Sequence, residues 1–516
     1  LQVCAYALRG YEGCIVSIET DLRRGIPGTE IIGLPDSAVK EARERVRAAI
    51  KNSSYNFPRE RLLINLTPAG IKKEGSHFDL AIALAILQAS GDLNIEENFI
   101  QPVLALGELE LSGRIRRVQG LLSAIGSALE SDIRTFIVPY ENRQEAEAIA
   151  PGRYWAVSSL QEACEALQTL SHGGKPPAYN NNTAGVTTQN AERSAEVDFK
   201  DIKGQPLLKR ALEAAAAGRH NLFFFGPPGC GKTLSIRALQ SILPPLSTEE
   251  QLETNRIYSI RGELTDKLLV YPPFRAPHHS SSSEGIIGGG RLVMPGEVSL
   301  AHNGVLFLDE SFEFNKSLLQ NLREPLENKK ITLARAGQSV WYPAAFQLVL
   351  AANVCPCGNM GRSDRVCLCS PHEIGRYWKR LGGAVLDRID IRLPAAPVAA
   401  ELLLGDSEEP SSAVRARVMH VKAIQQQRYK DLPFKTNADI SAAYLKEFCR
   451  LGEKEEQAFL LAVRKLDLSS RASHSILRVS RTLADMAGED NIGVEHLLEA
   501  AGYRRYGDSD LYWTAI

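Results

Sequence analysis

Asn221-Leu-Phe-Phe-Phe-Gly-Pro-Pro-Gly-Cys-Gly-Lys-Thr233 is the stretch on which the fold turns. A short apolar run of strand character feeds a Gly-x4-Gly-Lys-Thr loop, and 234–239 continues as a helix. Glycines let the backbone of Gly226, Pro227, Pro228, Gly229, Cys230 and Gly231 fold closely around phosphate oxygens. Lys232 has the length to reach β- and γ-phosphates, and the Thr233 hydroxyl is a ligand for Mg²⁺. The helix that follows points its N-terminus at the anion.

Around this loop the chain is long and ordinary in composition. Its 516 residues predict two to four domains. Apolar content of 44% with 23% charged residues predicts globular domains rather than disorder. A net charge of -1 neither requires nor excludes nucleic acid, since a basic channel can sit on a neutral protein. No apolar run is long enough to span a bilayer, and the start at Leu1 lacks the basic and apolar segments of a signal peptide. The missing initiator Met reads as a processed or partial chain. Nine cysteines, four of them clustered, fit a reducing cytoplasm better than a secreted disulfide framework.

Three blocks are expected. Residues 1–170 mix strands at 14–18, 61–66 and 103–109 with helices at 39–52 and 79–88. The polar segment 171–196 reads as a linker. Residues 197–395 carry an Ala-rich helix at 206–218, the phosphate loop, and apolar strands at 304–308 and 346–352. Strands separated by helices predict a mostly parallel sheet. Residues 396–414 read as a second joint. Residues 415–516 read as helical, at 415–429, 439–449, 454–466, 473–487 and 494–504.

The strand Val305-Leu-Phe-Leu-Asp-Glu310 brings Asp309 beside the expected metal and Glu310 beside an attacking water. Asn353, ending the next strand, is a candidate to hold that water or to sense the γ-phosphate. Arg388 in Leu386-Asp-Arg-Ile-Asp390 and Arg471 at a helix start are candidates to supply positive charge. Arg388 would serve a neighbouring subunit and Arg471 its own. On physical grounds alone both read equally as surface salt-bridge arginines.

Taken together, GPPGCGKT, VLFLDE, Asn353, LDRID and SRASHSILRVSR resemble the AAA+ ATPases, and among them the magnesium-chelatase ATPase subunit and replicative helicases. Tyr271-Pro-Pro-Phe-Arg-Ala-Pro-His-His-Ser280 with Gly288-Gly-Gly290 narrows the resemblance to the magnesium-chelatase-like ComM/YifB family. It implies an α/β AAA+ P-loop core with a C-terminal helical lid, ATP and Mg²⁺ as cofactors, and a homo-oligomeric ring, usually a hexamer. Arg388 then matches a trans arginine finger and Arg471 a second sensor. The activity implied is a cytoplasmic ATP-driven helicase that acts on branched or single-stranded DNA. It would promote branch migration in recombination during natural transformation, alongside recombination proteins. The alternative is a magnesium-chelatase-like motor that remodels a protein partner.

Inserts between phosphate loop and acidic strand in related helicases face a central channel. That makes Arg275, His278, His279, Lys329, Lys330 and Arg335 candidate DNA contacts. The two histidines read equally as residues that pack or cap the insert.

Cys355-Pro-Cys357 and Cys367-Leu-Cys369 form a four-thiol array suited to structural Zn²⁺, with reduced thiols in an ordinary loop as the alternative. The array would staple the loop after Asn353, or present Arg362, Arg365, Arg376, Lys379 and Arg380 to DNA. The first block resembles the proteolytic domain of Lon. His77 stands where that family has its nucleophilic Ser, and Leu122 and Ala124 lie where it has Lys. Ser76 has no evident basic partner, so the resemblance implies a degenerate, inactive domain. Arg43, Arg45, Arg47 and Lys51 give its first helix a basic character, which a solvated surface explains as well.

Overall fold

The computed structural model describes residues 1–96, 99, 101–148, 152–177, 197–264, 268–335, 338–362, 364–398 and 408–504. Most of the expected linker 171–196, the centre of the joint at 396–414 and residues 505–516 lie outside them. Among the described residues no helix is long and apolar enough to cross a membrane.

Two sheets organise the chain. The first has seven strands, in the order Gly28–Ile32, Arg61–Thr67, Glu12–Arg23, Gln2–Arg9, Pro102–Ala105, Thr135–Pro139 and Arg153–Val157. Helix Asp79–Ala89 (DLAIALAILQA) has no polar stripe, and Asp79 to Leu87 are all buried. Its one buried charge, Asp79, is held by Arg45 at 2.9 and 3.0 Å. Arg45 is therefore a structural residue rather than part of a basic face. Arg47 likewise lies over the Phe57 ring. The expected strand at 103–109 is two elements, Pro102–Ala105 and Glu108–Leu109, separated at Leu106-Gly107. Gly107 is required there, since a Cβ would come within 2.7 Å of the Ile115 side chain.

The second sheet is five-stranded and parallel throughout. Its order is Phe274–Arg275, Val305–Leu308, Gln347–Ala352, Leu222–Phe225 and Ile391–Pro394. The last strand went unread in the sequence because Ile-Arg-Leu-Pro hides an arginine; Arg392 is fully buried and donates to the Leu386 carbonyl at 2.7 Å. Phe223 and Phe225 pack against Trp378 with ring centroids 5.8 and 5.2 Å apart, edge to face. Each such pair adds about 0.5–1.5 kcal/mol beyond burial.

The insert between phosphate loop and acidic strand joins the first sheet's core. Helix Thr248–Arg261 packs on helix Leu121–Glu130, and Ile257, Tyr258 and Ile260 are buried in that core with Ile331 and Tyr342. Gly120 donates to the Ser259 carbonyl at 2.9 Å, and Tyr11 to the Trp341 carbonyl at 3.1 Å.

The C-terminal part is helical, at Ser411–Arg428, Glu453–Lys465, Ser470–Ala487 and Val494–Arg504. The first of these starts at 411, inside the expected joint. The helix expected over 439–449 is two 3₁₀ turns and one short turn, Leu445–Phe448. Short polar side chains compete with the helical ladder here: Thr436 Oγ1 donates to Asp439 at 2.9 Å.

Candidate nucleotide site

Parallel register sets the geometry. Phe225 pairs with Ala352, so Gly226 and Asn353 leave the sheet side by side. Leu308 pairs with Leu350, which brings Asp309 to the same edge. Three neighbouring strands thus release loop, carboxylates and asparagine at their carboxyl ends, where open α/β sheets bind ligands.

Inside the loop, Gly226 packs against the Ile391–Pro394 side; a Cβ there would sit 2.3 Å from the Ala395 carbonyl oxygen. Gly229 and Gly231 have φ of +82° and +83°, a region that costs other residues about 1–2 kcal/mol. Gly231 caps helix Lys232–Ile242. Lys232 is buried and its Nζ donates to the carbonyls of Gly226 (2.8 Å) and Pro227 (2.9 Å) and to Asn353 Oδ1 (3.4 Å). Thr233 Oγ1 donates to Asp309 Oδ2 at 2.8 Å. That spacing matches the edge of an Mg²⁺ octahedron, about 2.9 Å for ligands at 2.0–2.1 Å. The donor set therefore fits the implied ion.

Glu310 is the residue whose state the sequence could not show. Its backbone is left-handed, φ +48°, a strain of about 1–3 kcal/mol. Its own amide donates to Asp309 Oδ1 at 2.9 Å. Its half-exposed carboxylate lies 3.6 Å from His279 Nδ1. His279, expected to face a channel, lies against His278 with ring centroids 4.1 Å apart and tilted by 34°, and stands beside this carboxylate. His278 Nδ1 lies 2.8 Å from Ser280 Oγ and closes its own turn. Arg275 is committed to Glu297 at 2.6 and 2.7 Å and Lys329 to Asp439 at 2.7 Å. Lys330 is exposed. The side chain of Arg335 lies outside the described residues.

Arg388 and Arg471 stand at the other end of the sheet. Asn221, which precedes the phosphate-loop strand, donates to the Arg388 carbonyl at 2.8 Å. Four strand residues, about 13 Å, separate that end from Gly226. Both guanidiniums reach Glu327 Oε1, Arg471 at 2.9 Å. The three line one cavity of about 360 Å³ with Asp387 and Arg478. Burial and the nearby guanidiniums of Arg471 and Arg323 push Arg388 down to about 10, so it stays protonated at neutral pH. The expectation that Arg471 reaches its own phosphate site is not met. Helix Ser470–Ala487 packs on helix Pro206–Gly218 and opens beside Arg388 instead. Nothing in the sequence singled out Glu327. Gln205 was also missed: its Nε2 donates to the Cys230 and Ala396 carbonyls at 2.8 and 3.0 Å, tying loop to sheet edge.

The four clustered thiols converge. All lie within 4.8 Å of one another, with Sγ–Sγ distances of 3.4 Å (355–357), 3.7 Å (357–367) and 3.6 Å (355–367). Thiolates at 2.3 Å from a tetrahedral ion stand about 3.8 Å apart. The Asn359 amide lowers the Cys357 thiol to about 7, and burial raises Cys367 to about 12. Beside them, Arg362 pairs with Asp364, which Arg365 also approaches at 3.9 Å, and Arg380 pairs with Glu313; Arg376 and Lys379 are exposed.

In the first sheet, Ser76 donates to Glu108 at 2.5 Å. Lys73 is fully buried and donates to the Gly33 (2.8 Å) and Pro68 carbonyls. His77 Nε2 donates to the Tyr6 carbonyl at 2.7 Å. A serine facing a carboxylate and a lysine spent on carbonyls form no Ser–Lys dyad.

A parallel α/β sheet whose strands end in Gly226–Thr233, Asp309 and Asn353, followed by helices, is consistent with the AAA+ type of fold. Sequence profiles agree: magnesium chelatase, subunit ChlI, matches residues 198–402; subunit ChlI of Mg-chelatase, 18–142; and the subunit ChlI C-terminal region, 408–504. The competence protein ComM of Haemophilus influenzae is 40% identical over 506 residues, 97% of both chains. YifB of Escherichia coli is 39% identical over 496 residues, 95% of this chain and 94% of its own. Lon protease 2 of Bacillus subtilis is 30% identical over 161 residues, 28% of each chain. The chain belongs to the ComM/YifB family of magnesium-chelatase-like AAA+ ATPases, with a degenerate Lon-like N-terminal region.

Proposed function

We propose that the protein hydrolyses ATP to ADP and phosphate as a hexameric ring motor on DNA. Its task would be to promote branch migration in recombination during natural transformation, in the cytoplasm. The observation that carries the ATPase reading is the Thr233–Asp309 contact beside Lys232 and Asn353. Lys232 exchanges its loop carbonyls for β- and γ-phosphate oxygens. Thr233 and Asp309 would hold Mg²⁺, and the ion would supply positive charge against the phosphates. Asn353 positions the water, and Glu310 accepts its proton as the water oxygen bonds to the γ-phosphorus and the bond to the β–γ bridging oxygen breaks. Arg388 and Arg471 supply charge to a neighbouring subunit's site, since both stand away from their own loop.

DNA as substrate is supported by the relative named a competence protein. Lys316, Arg376 and Lys379, around a cavity of about 660 Å³ beside Cys369 that Glu313 and Glu373 also line, add basic groups suited to phosphate contacts. The ChlI profiles favour a second reading, a motor that remodels a protein partner. ATP turnover measured with and without single-stranded or branched DNA separates the two. Stimulation by DNA supports the motor; indifference to every DNA supports the protein remodeller.

A further inference from the structure

We propose that Cys355, Cys357, Cys367 and Cys369 bind one Zn²⁺ as four thiolates, and that this closed site holds Asn353 and the phosphate loop in place. The positioning half rests on the nucleotide-site reading above; the metal half does not.

Residues 355–370 join the asparagine strand to helix Pro371–Trp378 without any helix or strand among their described residues. A connection of this length needs something to order it. Apolar packing does not supply that at its outer end, where Val366 and Leu368 are 77% and 90% exposed. Backbone bonding is sparse too: Gly358 donates to the Cys355 carbonyl at 3.0 Å, and Arg362 to that of Asn359 at 3.1 Å. What the segment does have is thiols brought together from both of its ends. The Met360 amide also points at Cys355 Sγ, at 3.4 Å. An N–H aimed at sulfur favours the thiolate, the form that binds metal.

Four soft ligands within 4.8 Å of one another, three of them at near-tetrahedral spacing, select Zn²⁺ among common divalent ions and leave no position for water or substrate. The role is therefore structural. Two contacts carry it to the nucleotide site. Gly358, at φ +73°, lies against the phosphate loop; a Cβ there would be 3.6 Å from the Pro228 ring and 3.9 Å from Asn353 Nδ2. On the other flank, Trp378 Nε1 donates to the Val354 carbonyl at 2.9 Å. Asn353, which touches Lys232, is thus followed within two residues by the first metal ligand.

The test uses the full chain purified without chelator. Metal content is measured by plasma mass spectrometry, and Co²⁺ is exchanged in to read the thiolate charge-transfer bands of a tetrahedral four-sulfur site. One zinc per chain and those bands are expected. Four freely titrating thiols with no bound metal would overturn the site, whatever the protein does with nucleotide. Affinity for a fluorescent ATP analogue is then compared among native protein, protein stripped of metal, stripped protein given Zn²⁺ back, and a Cys367→Ser, Cys369→Ser variant. Loss of metal is expected to weaken binding several-fold, and Zn²⁺ to restore it in the native chain alone. Unchanged affinity after complete metal loss would overturn the positioning role. The native, stripped and re-metallated samples decide this even where the double variant fails to fold.

Discussion

Arg471 donates to Glu327 at 2.9 Å, and Arg388 reaches the same carboxylate oxygen. One acidic residue thus gathers both candidate charge donors at the sheet edge opposite the phosphate loop. Complementation between defective subunits tests where they act. Arg471→Ala alone and Lys232→Ala alone should each lower turnover by about 10²–10³-fold, the scale for removing transition-state charge. Mixed, they should recover a fraction of native activity, because a ring then contains sites with an intact loop from one subunit and an intact arginine from the next. Arg388→Ala should behave identically. A mixture no more active than its parts would place Arg471 in its own subunit's site.

Glu310→Gln should retain ATP binding while turnover falls by about 10²–10⁴-fold, the usual worth of a general base. Equilibrium binding and single-turnover hydrolysis on one preparation separate the effects. Undiminished turnover would reassign the base.

Gly226→Ala forces a side chain to within 2.3 Å of the Ala395 carbonyl oxygen. Gly229→Ala meets nothing within 4 Å and bears only the left-handed backbone penalty, about 1–2 kcal/mol. Nucleotide affinity should therefore be abolished by the first change and reduced by the second. Calorimetric titration would read both.

Asp390 joins sheet and C-terminal helices through Ser475 at 2.5 Å and His220 at 3.5 Å. Burial opposes its charge, but His220 and Ser475 outweigh burial and hold the carboxyl below the usual range. A depressed carboxyl contributes stability in full above its unfolded value, about 3.9, and loses it as pH falls through the folded value. Native protein should thus lose stability on acidification below about pH 4. Asp390→Asn should be less stable at neutral pH and less sensitive to acid there. Denaturant midpoints across pH would show this; equal acid slopes would contradict it.

Much of the site was legible because its chemistry is local. Gly226 to Thr233 is one continuous stretch, and Asp309 and Asn353 each end an apolar strand, so periodicity and spacing located them. Residues that act through distant partners were not legible. Glu327 is an unremarkable acid in sequence and matters only because two arginines fold onto it. Arg275 and Lys329 read as free cations until Glu297 and Asp439 appeared opposite them. The 439–449 segment has helical composition, yet the Thr436–Asp439 contact, a side-chain effect, diverts it. Arg392 hid a strand because a buried arginine breaks the apolar pattern, and the Leu386 carbonyl that receives it lies outside that strand.

The most direct measurement is ATP-dependent branch migration of a four-way DNA junction by the full chain, compared with Lys232→Ala. Native protein should move the junction only with hydrolysable ATP, and Lys232→Ala should not move it. ATP turnover that proceeds without any junction movement or DNA stimulation would contradict a DNA motor.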